Sequence, residues 1–104
     1  MSDEPRILIP FDREEAIPIR IMALLAGISE QTARNWCAEH GLGRRIGGRW
    51  WGSRVALAMF QDGDKAALRA YHAGQRDGRV ADYFDRARAQ KLKNLHSAQS
   101  SSGA

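Results

Sequence analysis

The stretch "GLGRRIGGRWWGS" at residues 41–53 most constrains what this chain can fold into. It contains five glycines, three arginines and two adjacent tryptophans. The pair Gly47-Gly48 can adopt the positive φ angles that a two-residue hairpin turn requires. The flanking segments "GRRI" and "RWWG" are then two short strands that face each other. The sequence therefore predicts a β-hairpin that carries arginines on both strands.

Two helices are predicted before this hairpin. Pro18 suits the first turn of a helix, where a missing N–H costs nothing. The segment "IRIMALLA" follows, and the apolar residues of its predicted inward stripe recur with helical spacing; these are Ile21, Leu24, Leu25 and Ile28. Gly27 interrupts this helix, Ser29 is a good N-cap for the second helix, "SEQTARNWCAEH", and Gly41 ends it.

The remaining segments complete a single, mainly α-helical domain. Ser53 is predicted to cap a helix, "SRVALAMFQDG", and further helices are predicted at about 64–73 and 79–95. The polar segment 96–104 is predicted to be disordered. Residues 1–16 form an acidic leader, in which "RILI" is a candidate edge strand.

Charge is distributed unevenly around the net value of +4. Residues 1–16 contain two arginines and five acidic residues, a net charge of −3. Residues 17–60 contain six arginines and two glutamates, a net charge of +4. Residues 61–104 contain eight basic and five acidic residues, a net charge of +3. Concentrated positive charge favours nucleic acid or an anionic membrane surface as a partner. A basic surface that merely keeps the protein in solution is the alternative.

Other classes of protein are less favoured by the sequence. No run approaches ~18 consecutive apolar residues, and the N-terminus lacks a signal-peptide pattern, so we expect a cytoplasmic protein with no membrane partner. Cys37 is the only cysteine, which excludes an internal disulfide and indicates a small buried apolar side chain. Neither a nucleophile–base pair nor a phosphate-binding loop is evident, and the histidines lack ligand spacing. We therefore expect no enzyme activity, metal or cofactor.

The segments "ALLAGISEQTARNW" and "RRIGGRWW", in this order and spacing, resemble the winged helix-turn-helix of excisionases and the related MerR-like DNA-binding domains. The resemblance covers residues 17–60, a little under half of the chain. It implies a mainly α fold with a winged helix-turn-helix domain at 17–62, a two-stranded hairpin as the wing, and a helical extension at 63–95. Trp51 stands where the family often carries a basic residue.

Helical geometry divides the second helix into two faces. Ala33, Trp36, Cys37 and His40 share one face, which we expect to pack on Leu24, Leu25 and Ile28. The other face points outward and carries Glu30, Gln31, Arg34, Asn35 and Ala38. The resemblance makes this the recognition helix, and the candidate DNA-binding residues on it are Ser29, Glu30, Gln31, Thr32, Arg34 and Asn35.

These residue types suit DNA recognition. Arginine, glutamine and asparagine side chains can bond base edges, and hydroxyls at a helix start can contact phosphate. In the wing, the arginines are candidates for phosphate or minor-groove contacts, and the glycines let the backbone approach. The wing candidates are Arg44, Arg45, Gly47, Gly48 and Arg49. An ordinary solvated face is the alternative for both sets.

The tryptophans are interpreted separately. Trp36 and Trp50 are expected in the core because aromatic area mainly contributes burial. For Trp51, contact with a partner and contact with DNA both remain open.

The resemblance implies an excisionase, also called a recombination directionality factor. Such a protein binds and bends attachment-site DNA and so promotes integrase-mediated excision of a mobile element. The implied partners are double-stranded DNA, a site-specific integrase and further copies of the chain along the DNA, in the bacterial nucleoid. Two alternatives are a transcriptional regulator with the same module, and a protein–protein adaptor that uses Trp51 and the C-terminal helices.

Self-association along DNA needs a contact surface. The leader supplies one candidate, and the C-terminal helices supply another through Val80, Tyr83 and Phe84. The alternative for these three side chains is that they fold back and cover the core of their own chain.

Overall fold

Helices and one small antiparallel sheet form the computed structural model, which describes residues 6–9 and 11–89. The elements in chain order are β1 (Ala16–Pro18), α1 (Ile19–Ala26), α2 (Glu30–His40), β2 (Gly43–Ile46), β3 (Arg49–Ser53), α3 (Arg54–Asp62) and α4 (Lys65–His72). A further helix, α5, covers 78–89 as far as the structure describes it. None of the helices in the described part has the length and apolarity that a membrane crossing requires.

Ser29, Gly41 and Ser53 set the helix boundaries as predicted, whereas Pro18, predicted in the first turn of α1, lies just before that helix as the last residue of β1. The Ser29 Oγ accepts the Thr32 N–H at 3.1 Å at the start of α2, and Gly41 ends this helix with φ 67°. The Ser53 Oγ accepts the Ala56 N–H at 3.0 Å at the start of α3. Each cap satisfies a backbone group that a helix end leaves without an internal partner.

The β2–β3 hairpin is confirmed, but the sheet has three strands where two were predicted. Ile46 pairs with Arg49 across the turn. On the other side of β3, strand β1 pairs antiparallel, with Pro18 opposite Trp51. The sheet order is therefore β1-β3-β2, with β3 in the centre.

The predicted edge strand in "RILI" is wrong. Residues 7–9 form a turn, in which Leu8 has φ 59° and its N–H donates to the Tyr71 hydroxyl at 2.9 Å. Ile7 and Leu8 are both buried. This segment is thus fixed by side-chain burial and one buried hydrogen bond rather than by strand pairing.

The predicted inward stripe of α1 is right for Ile21 and Ile28, which are half-buried against the core, and wrong for Leu24 and Leu25. The helix buries Ile19, Met22 and Ala23, whereas Leu24 is 74% exposed and Leu25 is 49% exposed. Both stripes of this segment are apolar, so periodicity alone does not choose between them. Strand β1 decides the choice, because it leads directly into α1 and turns Ile19 toward the core.

The leader and the C-terminal helices share one core with residues 17–62. Val80 is 1% exposed and Tyr83 is 6% exposed, and the Phe84 ring lies 6.2 Å from the Tyr71 ring. These three residues were candidates for oligomerisation; the structure uses them to cover the chain's own core, the alternative that the sequence left open. The predicted helix end at 90–95 and the predicted disordered tail at 96–104 lie outside the described residues.

A buried carboxylate links the leader to α3 and α4. Glu15 is 2% exposed and accepts hydrogen bonds from Ser53 Oγ, at 2.5 Å, and from the Tyr71 hydroxyl. Burial raises the pKa of the Glu15 carboxyl, while these hydrogen bonds and the nearby Arg76 act in the opposite direction. The hydrogen bonds compensate part of the cost of burying the group.

We expect Glu15 to make the stability of the protein depend on pH. A carboxyl whose pKa is higher in the folded chain keeps its proton longer there, so the folded state loses stability as the pH rises from about 4.3, the ordinary glutamate value, through the folded value. Urea denaturation of the wild type and of Glu15→Gln tests this between about pH 4 and pH 7. The free energy of unfolding of the wild type should fall relative to that of the variant as the pH rises. Parallel curves would contradict the assignment.

Candidate nucleic-acid interface

The outward face of α2 carries three hydrogen-bonded side chains. Arg34 Nη2 donates to Gln31 Oε1 at 3.0 Å, and Gln31 Nε2 donates to Asn35 Oδ1 at 3.1 Å. Gln31 and Asn35 are exposed, and Arg34 is partly exposed. The three residues predicted to read base edges therefore lie side by side, and Gln31 orients both neighbours.

The hydroxyl groups at the start of α2 are engaged within the chain. The Ser29 Oγ accepts a hydrogen bond from the Thr32 N–H, and the Ser29 hydroxyl donates one to Thr32 Oγ1 at 2.9 Å. The hydrogen bonds of these two hydroxyl groups are thus those of a helix cap. Glu30, the next residue, is exposed in the first turn.

The inward face of α2 packs on α1 through sulfur. Ala33 and Cys37 are buried, and Cys37 Sγ lies 3.6 Å from Met22 Sδ. Burial raises the pKa of the Cys37 thiol to about 11. Cys37 therefore behaves as the small apolar side chain that the sequence predicted.

Two further residues of the predicted inward face contact α3 rather than α1. The half-buried Trp36 ring lies 5.0 Å from Phe60, and the exposed His40 ring lies 4.7 Å from the same ring. Leu24 and Leu25, the predicted partners of this face, are exposed instead. At the end of α2, His72 Nε2 on α4 lies 2.8 Å from the Gly41 carbonyl oxygen. Helix α2 is thus supported by three other helices.

A pair of glycines brings the hairpin close to α1 and α2. Gly43 and Gly52 lie opposite each other in the β2–β3 ladder. A Cβ atom on Gly52 would lie 2.4 Å from Met22 Cε, and one on Gly43 would lie 2.7 Å from Cys37 Sγ. No side chain fits at Gly43, because the Trp51 carbonyl oxygen would lie only 2.3 Å from its Cβ atom, whereas at Gly52 the flexible end of Met22 would have to move.

The two adjacent tryptophans point to opposite faces of the sheet, as strand geometry requires. Both are half-buried. Trp51 contacts Phe11 of the leader, with an edge-to-face ring distance of 6.0 Å, and the Arg49 guanidinium lies 4.9 Å above the Trp51 ring. Trp51 therefore packs on its own chain and supports the Arg49 side chain, an arrangement not considered from the sequence.

A groove separates α2 from the hairpin, and three arginines line it. Arg20 comes from α1, Arg34 from α2 and Arg49 from β3, together with Glu30 and Trp50. Gly48 of the turn also lines the groove, beside residues Pro18 and Ile19. The structure thus brings part of the predicted helix set and part of the predicted wing set to one place.

Arg20 was missed by the sequence analysis. It is exposed near the start of α1, and its outward position follows once Ile19, Met22 and Ala23 are assigned to the inward stripe. The correct stripe would therefore have identified Arg20 as an outward-facing residue near α2.

The other two hairpin arginines lie on a second cleft. Arg44 and Arg45 line it together with Ala38, Gly41 and Trp50. Trp50 lines both clefts, so it separates Arg44 and Arg45 from the groove that Arg20, Arg34 and Arg49 share.

Ion pairing divides the arginines of the described residues into two groups. On α5, Arg79 pairs with Asp64 at 2.9 Å, Arg86 pairs with Asp62 at 3.1 Å, and Arg88 pairs with Glu14 at 3.4 Å. Within 6–9 and 11–89, no carboxylate lies within 4.0 Å of the arginines of the two clefts, which are Arg20, Arg34, Arg44, Arg45 and Arg49. Five further arginines of the described residues, away from the two clefts, also have no carboxylate within 4.0 Å; these are Arg6, Arg13, Arg54, Arg69 and Arg76. What distinguishes the cleft arginines is therefore that they lie together beside α2 and the hairpin.

Comparison with known proteins gives no match: no family model matches the chain, and neither a curated protein nor a solved structure matches it.

The hairpin turn should tolerate asparagine better than alanine. Gly48 has φ 78°, and a Cβ atom there would meet nothing within 4 Å, so the cost of a substitution is conformational rather than steric. We expect Gly48→Ala to lower the free energy of unfolding by about 1 kcal/mol, whereas Gly48→Asn should cost less because asparagine tolerates left-handed backbone. Urea denaturation of both variants measures the difference. Equal stability of Gly48→Ala and the wild type would contradict the turn geometry.

Proposed function

We propose that this protein binds duplex DNA as a winged helix-turn-helix, without catalysing a reaction. In this proposal α2 enters the major groove and the β2–β3 hairpin, as the wing, follows the phosphate backbone. The observation that carries the proposal is that Arg20 and Arg34 line one groove between α2 and the hairpin, that Arg49 lies at its hairpin edge with its guanidinium over Trp51, and that no carboxylate pairs with these arginines in the described part of the chain.

Electrostatics support this proposal over a merely solvated basic surface. Cations that line one groove repel each other, and a bound polyanion removes that repulsion. Phosphate contacts also release condensed counterions, which favours binding at low salt.

The shape and chemistry of α2 support duplex DNA as the polyanion. An α-helix fits the major groove, and the side chains on the exposed face of α2 are types that recognise bases. Gln31 and Asn35 can each bond the edge of adenine, and Arg34 can bond guanine. Arg20 and Arg49 flank this face as phosphate contacts.

Within this class, we propose an excisionase that acts in the bacterial nucleoid. The support is the resemblance of "ALLAGISEQTARNW" and "RRIGGRWW" to that family. An excisionase bends attachment-site DNA for a site-specific integrase, and bending about 20–30 base pairs costs on the order of 1–6 kcal/mol. Several copies bound side by side supply this energy when neighbours contact each other.

The proposed contact between neighbouring copies uses the leader. Val80 and Tyr83 are occupied in the core, whereas Ile9 and Phe11 are 43% and 50% exposed. These two apolar side chains are therefore available for a heterologous contact, which can repeat along DNA.

Arg34 of α2 and Arg49 of the hairpin should contribute differently to DNA binding. Arg34→Ala should weaken binding to the specific site by ~1–3 kcal/mol, because a base contact is lost. Arg49→Ala should weaken binding to all duplexes and reduce the slope of log affinity against log salt by about one. The measurement is fluorescence anisotropy at several salt concentrations, on the site found by footprinting and on a scrambled duplex.

Arg69→Ala is the matched control, because it removes one exposed positive charge from α4, away from the groove. Its binding should resemble that of the wild type. If all three variants weaken binding equally, net charge rather than this interface is responsible, and the proposal fails.

The excisionase proposal is tested by measuring whether the protein binds adjacent DNA sites cooperatively and whether it promotes excision. The wild type should fill DNA that carries several sites cooperatively and should promote excision with its cognate integrase. Ile9→Gln should reduce both effects while single-site affinity is kept. If the wild type fills several sites independently and excision does not occur, a transcriptional regulator is favoured instead.

A further inference from the structure

An apolar groove lies between α1, α3 and α5, away from the proposed DNA interface. Its apolar lining includes Leu25, Leu57, Ala58 and Ala87, and its volume of about 500 Å³ is within the range of ligand sites. Leu25 is 49% exposed, and its neighbour Leu24 is 74% exposed. Exposed leucines beside an apolar groove are typical of a surface that another protein covers.

One unpaired cation extends into this groove. Arg54, the first residue of α3, lines it, and its Nε atom is buried without a hydrogen-bond partner. Among the described residues, no carboxylate lies within 4.0 Å of its guanidinium, whereas Arg86 at the same groove pairs with Asp62. The positive end of the α3 dipole also disfavours a cation at this position. A carboxylate brought to the Arg54 guanidinium would offset this repulsion, although the Nε atom itself is buried away from the groove surface.

We infer that this groove binds an acidic amphipathic helix of another protein. The apolar face of that helix covers Leu25 and enters the groove, and one of its carboxylates pairs with Arg54. Helix-in-groove binding uses apolar anchors at helical spacing, which suits a groove that is itself formed by three helices. The inference does not rest on the DNA-binding proposal, because Arg20, Arg34 and Arg49 do not line this groove.

The lining argues against nucleic acid as the occupant, because an apolar floor does not receive phosphate groups. A second copy of the chain is the other candidate, and the test distinguishes it from the acidic helix.

The test uses a fluorescently labelled synthetic helix with leucines at positions i, i+3, i+4 and i+7 and glutamates on its other face. A matched peptide carries lysine in place of every glutamate. In fluorescence anisotropy the acidic peptide should bind saturably and the lysine peptide should not. Arg54→Gln and Leu25→Gln should each weaken binding of the acidic peptide by roughly fivefold or more. Arg69→Gln, which replaces an exposed arginine of α4 that does not line the groove, should leave it unchanged.

Three results would overturn the inference: no binding of the acidic peptide, equal binding of both peptides, or binding that neither Arg54→Gln nor Leu25→Gln alters. Self-association that Leu25→Gln abolishes, seen by sedimentation, would show that a second copy occupies the groove, and this too would overturn it. Thermal melts of the variants establish that each is folded, so a loss of binding reports on the groove.

Discussion

The packing of Met22 and Cys37 on the paired glycines Gly43 and Gly52 sets the distance between α2 and the hairpin. The two sulfur atoms lie 3.6 Å apart, and each of these side chains occupies the space that a Cβ atom on one glycine would need. A larger residue at Gly52 would displace the flexible end of Met22, and one at Gly43 would collide with the Trp51 carbonyl oxygen as well as with Cys37. The groove lined by Arg34 and Arg49 lies beside this close approach.

A second interaction fixes the opposite side of the sheet. Ser53 ends β3, caps α3 and donates to the buried Glu15, while Tyr71 of α4 donates to the same carboxylate. The N-terminal segment and α4 are therefore joined at the strand that carries Trp51 and Arg49. The core that supports the proposed interface thus extends beyond residues 17–62, because its buried hydrogen bonds include Glu15 on one side of that segment and Tyr71 on the other.

The sequence predicted features that depend on local chemistry. Ser29 and Ser53 as caps, Gly41 as a helix end and Gly47-Gly48 as a hairpin turn all follow from backbone geometry within a few residues. Features that depend on distant parts of the chain were not predicted. Strand β1 has only three residues, too few for a sequence pattern that predicts its pairing with β3. The choice between the two apolar stripes of α1 depends on which side chains pack against the helix. That error also concealed Arg20 and the exposure of Leu24 and Leu25.

The central claim is that duplex DNA meets the outward face of α2 and the hairpin, and not the basic residues of α5. Amide chemical shifts of the full chain, followed by NMR during titration with a duplex that carries the footprinted site, test it most directly. The account predicts that the largest shifts map to Gln31, Arg34, Asn35, Gly48 and Arg49, with small shifts along 78–89. Largest shifts along 78–89, with α2 and the hairpin unchanged, would contradict it.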